Sequence, residues 1–277
     1  MTKLEAIFLG LVQGLAEFLP ISSSGHLSVF QRFFGISAGE SNLFFDVLLH
    51  LGTLISVCVV YWSDIVQIVR ELIQLLKGLG HPVPGEQKRY PAVRLLLMMA
   101  VSCVVLFLVL PVKDAVESLT DHTGFIGFAL IMTGFMLFVA DRMPRGQKNE
   151  KNMRFLDAII IGVCQGVATI PGLSRSGTTI TAGLATGLER EFAVKFSFLI
   201  SIPAILAANL LELVHAVKAG IDTAMISTYL LGMLVAMVSG FFALNLVKLI
   251  SKKGRFGGFA CYCWAAGAIT ILLTIIL

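Results

Sequence analysis

Six long apolar runs follow one another along the chain, and each contains few charged residues. They cover residues 43–62, 91–111, 124–141, 191–214, 224–247 and 256–277. About 20 apolar residues are enough for a helix to cross the roughly 30 Å hydrocarbon core of a bilayer. The runs are continuous rather than alternating, which favours helices over the strands of a membrane β-barrel. The pattern therefore predicts six transmembrane helices.

Two further apolar stretches, residues 4–34 and 155–188, are interrupted by proline, glycine and serine. The first carries P-I-S-S-S-G and the second carries P-G-L-S-R-S-G. Inside a bilayer the chain can leave the helix only where protein or a wet cavity satisfies the backbone. We therefore expect two re-entrant helix–loop–helix hairpins, each of which enters the membrane and returns to the same side.

The composition supports a membrane protein. Of the 277 residues, 57% are hydrophobic and only 14% are charged, and the mean hydropathy is +0.89. About a quarter of the residues of a soluble domain are charged. The chain is thus expected to be one integral membrane domain over residues 1–277, all-α and polytopic, with the bilayer around it. The net charge of +4 arises in short loops, so nucleic acid is not an expected partner.

The basic residues divide unevenly between the two sides of this arrangement. If only the six continuous runs cross, the loops 63–90, 142–154 and 248–255 share one side. That side, with Arg94, holds fourteen Lys and Arg residues, whereas the other holds four: Lys3, Arg32, Lys113 and Lys218. Positive charge accumulates in cytoplasmic loops. We therefore expect these loops in the cytoplasm and both termini outside.

The two interrupted stretches repeat one another. Residue n of the first matches residue n+152 of the second without a gap. The matched pairs are Ala6/Ala158, Ile7/Ile159, Gly10/Gly162, Gln13/Gln165, Gly14/Gly166, Ala16/Ala168, Ser22/Ser174, Ser24/Ser176 and Gly25/Gly177. Under the predicted topology the copies enter from opposite sides, which predicts an inverted repeat of residues 4–120 and 155–277. Paired interrupted segments indicate a binding site where their tips meet.

The tips differ at the positions that carry chemistry. Glu17, Ser23 and His26 of the first copy stand where the second has Thr169, Arg175 and Thr178. Together the tips supply a carboxylate, an imidazole, a guanidinium and several hydroxyl groups.

A guanidinium inside a membrane needs a partner, so Arg175 is a candidate functional residue. Its planar fork suits two phosphate oxygens. Ser174, Ser176 and the backbone N–H groups after Gly172 would complete an anion cradle at a helix N-terminus. The alternative is an ion pair between Arg175 and Glu17 that only holds the fold.

Glu17 and Gln13 are four residues apart and share a helix face. Glu17 is a candidate metal ligand or base. The alternative is a carboxylate that only pairs with Arg175. The alternative for Gln13 is a hydrogen bond that packs two helices. Asp46 and His50, at the same spacing in run 43–62, either line the cavity or pair with each other.

His26 is a candidate proton donor or acceptor. Ser23 is a candidate nucleophile if His26 or Glu17 takes its proton. The alternatives are a structural histidine and, for the serines, a helix cap by Ser22 or Ser24.

An anion site at mid-membrane, with acid–base groups and a nucleophile, indicates phosphoryl chemistry on a lipid. A transporter is the competing class, since inverted repeats with broken helices also build transporters. A transporter needs the anion cradle but has no need of a serine nucleophile beside Glu17 and His26, so the residues favour an enzyme.

The motifs Q-G-L-A-E-F-L-P-I-S-S-S-G-H and P-G-L-S-R-S-G-T-T resemble those of the bacterial undecaprenyl-diphosphatase family, which is linked to bacitracin resistance. The family signatures are an E/Q-x-x-x-E segment followed by S-S-x-G-H, and P-G-x-S-R-S-x-x-T. The resemblance covers the whole chain. It implies a multi-pass enzyme of the bacterial inner membrane that removes the terminal phosphate of undecaprenyl diphosphate, a polyprenyl diphosphate lipid, and so recycles a carrier lipid of peptidoglycan synthesis. A lipid-phosphate transporter or flippase that uses the same site is the alternative.

The resemblance also implies site residues and a cofactor. It implies functional roles for Glu17, Ser23, His26, Arg175, Ser174, Ser176 and Thr179, of which the first four are expected to be catalytic. With the residues around both breaks included, those expected at the substrate phosphates are Ser22, Ser24, Gly25, Gly172, Ser174, Ser176, Gly177 and Thr179. A divalent cation, Mg²⁺ or Ca²⁺, is expected with the diphosphate, held by Glu17 and more weakly by Gln13, because the first motif here has one carboxylate. The site is expected to open to the outer face. The oligomeric state stays open, with a homodimer as one candidate.

Two mechanisms follow from these residues. In the first, Ser23 attacks the terminal phosphorus with help from His26 or Glu17, and water then releases phosphate. In the second, His26 or Glu17 activates a water for direct attack, and Ser23 only hydrogen-bonds the phosphate.

Overall fold

A computed structural model describes residues 1–33, 35, 43–78, 91–108, 111, 116, 118–253 and 256–276. This part of the chain is all-α, as predicted. Its eleven α-helices are α1 (Lys3–Phe18), α2 (Ser23–Phe33), α3 (Leu43–Val60), α4 (Trp62–Gly78), α5 (Pro91–Val104), α6 (Thr123–Arg142), α7 (Phe155–Val167), α8 (Arg175–Ala185), α9 (Arg190–Ala219), α10 (Ile226–Lys253) and α11 (Gly257–Ile276). Short 3₁₀ turns lie at Val105–Leu108, Ser118–Asp121 and Thr223–Met225.

Within the described ranges, five helices are long and apolar enough to cross a membrane, namely α3, α6, α9, α10 and α11. They correspond to five of the six predicted transmembrane helices. The remaining run, 91–111, begins as α5, which ends after 14 residues and continues as a 3₁₀ turn. An α-helix of that length rises about 21 Å, which is short of a bilayer core of about 30 Å. Positions 109 and 110 of that run lie outside the described residues.

Polar side chains lie inside the helix assembly and large apolar side chains lie on its outside. Gln13, Ser102 and Thr133 are each 0% exposed, whereas Phe242 is 65% exposed. The buried hydroxyls bond to neighbouring helices, as where Ser102 Oγ donates to the Ala158 carbonyl at 2.7 Å. This distribution suits lipid rather than water around the protein, and with the five spans it identifies a multi-pass membrane protein.

Small residues bring the helices into backbone contact. A Cβ added to Gly10 of α1 would clash with the Gly232 carbonyl of α10. A Cβ added to Gly127 of α6 would lie 2.8 Å from the Gly267 carbonyl of α11. Such contacts are typical of membrane helices, which gain little by burying large apolar side chains that lipid already solvates. They hold α1 against α10 and α6 against α11.

Both interrupted stretches fold as two helices with a break between them. In the first, α1 ends at Phe18 and α2 begins at Ser23, and in the second, α7 ends at Val167 and α8 begins at Arg175. The four helices have 16, 11, 13 and 11 residues. Each is therefore too short to cross a core of about 30 Å alone. Within each stretch the two helices pack against one another.

Candidate active site

The same hydrogen bonds start the helix after each break. Ser22 Oγ accepts from the Gly25 N–H at 3.2 Å, and the equivalent Ser174 Oγ accepts from the Gly177 N–H at 3.1 Å. Each of these serines also lies near the hydroxyl of the serine two residues on, at 3.4 Å in the first copy and 3.2 Å in the second. The capping alternative is thus confirmed for Ser22.

The two breaks face one another. A Cβ added to Gly25 would lie 3.1 Å from Gly172 Cα, and one added to Gly177 would lie 3.3 Å from Pro20 Cβ. Pro20 and Gly172 occupy equivalent positions of the two copies, as do Gly25 and Gly177. The helix start of each copy therefore contacts the loop of the other. Gly172 has φ 90°, a left-handed conformation that glycine adopts without strain.

An ion pair joins the breaks. Arg175, the first residue of α8, donates from Nη2 to Glu17 Oε1 on α1. The Glu17 side chain is 5% exposed and that of Arg175 is 21% exposed. The pair that the sequence suggested as a structural alternative is therefore present, and it brings the two tips together at charged groups.

The second oxygen of Glu17 receives two further hydrogen bonds. Ser23 Oγ donates to Oε2 at 2.6 Å, and Gln13 Nε2 donates to it at 3.1 Å. Gln13 Oε1 is buried and has no hydrogen-bond partner among the described residues. Glu17 thus connects the candidate nucleophile to the candidate anion-binding group, and its short contact with Ser23 suits proton transfer.

A cavity of about 60 Å³ lies between the breaks. Its walls are formed by Ala16, Glu17, Ser22, Ser23, Ser24, Ala168, Leu173, Ser174 and Arg175. A cavity of this volume holds about two water molecules. A diphosphate group is larger than this cavity.

Other predicted site residues lie behind this wall. Thr179 Oγ1 donates to the Arg175 carbonyl at 2.8 Å and lies 2.5 Å from Ser197 Oγ of α9. Ser176 Oγ donates to the Leu19 carbonyl of the first break at 3.5 Å. These bonds hold the start of α8 in place, so the two hydroxyls support the cavity from behind.

His26 also lies away from the cavity wall. Its Nδ1 is 2.8 Å from the Ser22 carbonyl oxygen, and its Nε2 is 2.8 Å from Tyr262 Oη on α11. The structure therefore brings Ser23, but not His26, to the carboxylate.

Two residues that the sequence analysis did not single out complete the surroundings. Thr133 of α6 accepts from the Ser174 N–H at 3.1 Å and donates to the Gly172 carbonyl at 3.4 Å. Tyr262 is the second, through its contact with His26.

Asp46 and His50 of run 43–62 contact one another through the backbone of Asp46. His50 Nδ1 lies 2.9 Å from the backbone oxygen of that residue. Among the residues that the structure describes, no group of three or more His, Cys, Asp and Glu side chains is arranged to hold a metal ion.

Comparison with known proteins gives a match along the whole chain. A family model described as Bacitracin resistance protein BacA matches residues 6–269. The chain is 39% identical over 280 residues to an undecaprenyl-diphosphatase of Alkaliphilus metalliredigens, with 100% of both chains covered. It is 43% identical over 277 residues to an undecaprenyl-diphosphatase of Desulforapulum autotrophicum, with 98% of both chains covered.

Proposed function

The chain belongs to the BacA family of bacitracin resistance proteins, and from this membership we propose that it hydrolyses undecaprenyl diphosphate to undecaprenyl phosphate and phosphate. Relatives that match it along their whole length carry the name undecaprenyl-diphosphatase. The reaction returns a carrier lipid to the synthesis of peptidoglycan and other cell-envelope polymers.

The observation that carries this proposal is the hydrogen-bonded set of Ser23, Glu17 and Arg175. A hydroxyl, a carboxylate and a guanidinium meet at the seam, the place where the two helix breaks contact one another. An ion pair that served only to hold the fold would not need a hydroxyl at 2.6 Å from the carboxylate. Phosphoryl transfer uses each of the three groups.

Arg175 is the group that would bind the phosphates. A guanidinium has five N–H donors in a planar fork. Among the described residues, the Arg175 side chain donates to Glu17. Ser174 and Arg175, at the N-terminus of α8, both line the cavity between the breaks. A helix N-terminus and a guanidinium fork both favour phosphate oxygens.

In the mechanism that this geometry supports best, Ser23 Oγ gives its proton to Glu17 and attacks the terminal phosphorus. The bond from that phosphorus to the bridging oxygen breaks, and undecaprenyl phosphate leaves. Water then attacks the phosphoserine, and inorganic phosphate is released. Arg175 stabilises the charge on the transferring phosphoryl group.

Direct attack by a water that Glu17 activates is the competing mechanism. Trapping a phosphoserine at Ser23 would support the first mechanism. Substantial phosphate release by a Ser23→Ala variant would support the second, because that variant keeps Glu17 and Arg175.

The side-chain oxygen atoms of Glu17 and Gln13 suit a divalent cation as ligands. Gln13 Oε1 is a buried oxygen without a hydrogen-bond partner in the described structure, and Nε2 of the same amide donates to Glu17 Oε2. Mg²⁺ and Ca²⁺ take oxygen ligands, and Mg²⁺ commonly binds one or two carboxylates plus substrate phosphates. Glu17 and Gln13 would hold the ion together with diphosphate oxygens, and the ion would neutralise part of the phosphate charge.

The two halves are proposed to be inverted repeats whose interrupted stretches re-enter the membrane. Support comes from the reciprocal contacts Gly25–Gly172 and Gly177–Pro20, which join equivalent positions in exchanged order. The uneven distribution of basic residues supports cytoplasmic loops and external termini. That the site opens to the outer face is proposed from the family alone. Cysteines introduced at Lys3 and Lys151 in a cysteine-free chain test the orientation, since an impermeant thiol reagent added to intact cells should label position 3 alone.

The decisive experiment is phosphate release from a polyprenyl diphosphate by the purified protein. We expect release by the wild type, little by Arg175→Ala and normal release by Arg145→Ala, which removes the same group from an exposed loop position. A wild type that releases no phosphate under any divalent-metal condition would favour the transporter or flippase, for which the broken helices are the supporting feature.

A further inference from the structure

The hydrogen bonds of His26 define the tautomer of its neutral ring. The Ser22 carbonyl oxygen can only accept, so Nδ1 at 2.8 Å carries a proton. In the neutral ring Nε2 is then the acceptor, and the Tyr262 hydroxyl at 2.8 Å is its donor. Both nitrogen atoms are thus held, one by the turn before α2 and the other by α11.

Tyr262 is brought to this place by the packing of α11. The neighbouring Cys263 Sγ donates to the Pro20 carbonyl at 3.7 Å, so two consecutive residues of α11 contact the first break. The rings of Tyr262 and His26 have centroids 5.6 Å apart and planes within 13° of one another. His26 is 7% exposed and Tyr262 is 45% exposed, so the pair runs from the interior towards the surface.

A tyrosine hydroxyl suits a histidine that changes protonation state. It donates to Nε2 of the neutral ring and accepts from N–H of the charged ring, so the contact persists in both states. The second copy offers no such pair, since Thr178, the residue equivalent to His26, donates to Met136 Sδ at 3.9 Å. The contact therefore belongs to the copy that also carries Glu17 and Ser23.

Resting on the proposed phosphatase function, we propose that Tyr262 is a positioning residue, which holds the ring orientation of His26 while the Ser22 carbonyl fixes its tautomer. Ser22 is bonded to Nδ1 of that ring and precedes Ser23 in the chain. Tyr262 and His26 together therefore hold the turn that places Ser23 beside Glu17. Since neither ring lines the cavity, the effect is expected on kcat and not on KM.

The test is a double-variant cycle with phosphate release as the first readout. Tyr262→Phe keeps the ring and removes the hydroxyl, and we expect kcat about tenfold lower with KM unchanged, the size of effect of one lost hydrogen bond. In a His26→Gln background the same change should have no further effect. Tyr229→Phe is the matched control, because it removes the same oxygen from a tyrosine that packs on Phe45. An equal loss of kcat in both backgrounds would overturn the proposal.

The ring ¹⁵N chemical shifts of histidine give a second readout that does not depend on activity. The chain has 5 histidines, and the His26 signals are assigned from their absence in His26→Gln. We expect the Nδ1–H tautomer in both proteins and, in Tyr262→Phe, an Nε2 shift that moves away from the value of a hydrogen-bonded ring nitrogen. An unchanged Nε2 shift in Tyr262→Phe would refute the positioning role even if the wild type hydrolyses its substrate. A wild type without phosphatase activity would refute the proposed function, and the shifts would still decide whether Tyr262 positions His26.

Discussion

Replacing Glu17 with glutamine tests whether this carboxylate competes with the substrate for Arg175 or holds the substrate through a cation. Glutamine keeps the size of the side chain and removes its charge. In the wild type that charge is shared by the Arg175 guanidinium and the Ser23 hydroxyl. The variant therefore separates the two roles, because one depends on a free Arg175 and the other on a charged Glu17.

The expected magnitudes follow from the bonds that are lost. Without a base for Ser23, kcat should fall by about 10²- to 10⁴-fold, the usual contribution of general acid–base catalysis. A hydrogen bond between charged groups contributes about 1.5–3 kcal/mol. Arg175 released from that bond should therefore bind inorganic pyrophosphate about 10- to 100-fold more tightly when no metal is present. Catalysis and anion binding are thus predicted to change in opposite directions.

Isothermal titration of inorganic pyrophosphate into detergent-solubilised protein measures the binding, first with EDTA and then with Mg²⁺. Glu5→Gln is the matched control, since it removes the same charge near the start of α1 and should leave both affinities unchanged. With EDTA, weaker binding by Glu17→Gln than by the wild type would refute the competition. With Mg²⁺, the wild type should gain affinity and the variant should not, if Glu17 and Gln13 hold the ion.

Three further changes have definite expectations. Gly172→Ala should lower the free energy of unfolding by about 2–4 kcal/mol, because alanine is strained at φ 90° and its Cβ would lie 2.8 Å from the Ile126 carbonyl oxygen. Gly220→Ala is the control, since φ is 95° there but the Cβ would meet open space, so only the backbone strain lowers the stability. Denaturation curves of the two variants separate the strain from the clash. Arg175→Lys should lower kcat/KM for phosphate release at least about tenfold, since lysine lacks the fork. Phe198→Ala should cost about 3–5 kcal/mol in the same denaturation assay, because this ring is 1% exposed between two aromatic neighbours.

The positions of both helix breaks could be predicted because their causes are local. Proline, glycine and serine inside an apolar stretch interrupt the helix wherever the stretch folds, and the matched residues at an offset of 152 repeat the same capping bonds. The meeting of Glu17 and Arg175 followed from the same offset, since the chain places opposite charges at the two tips. Charge in an apolar surrounding must find a partner, which limits the arrangements that the tips can take.

The position of His26 could not be predicted in this way. It is nine residues from Glu17 in the sequence, but the break lies between them, and Ser22 at φ 73° turns the chain. Its partner Tyr262 is 236 residues away. Tyr262 lies in an apolar run whose pattern does not indicate a functional residue at that position. Hydropathy likewise could not reveal where α5 ends, because the apolar run continues past Val104 while the helix changes to a 3₁₀ turn.

The difference between the two copies explains why a duplicated segment can build this site. Where the copies agree, as at Ser22 and Ser174, each serine makes the same helix-capping hydrogen bond within its own copy. Repeating that bond carries no energetic penalty. At the seam itself the copies differ, since Glu17 matches Thr169 and Arg175 matches Ser23. Two copies of the first tip would supply carboxylates without a guanidinium, and two copies of the second tip would supply guanidiniums without a carboxylate, so the charges would lack partners in an apolar surrounding. Glu17 and Arg175, one from each copy, form an ion pair instead. A substrate phosphate can then take the place of Glu17 on Arg175, which leaves the carboxylate free to accept the proton of Ser23.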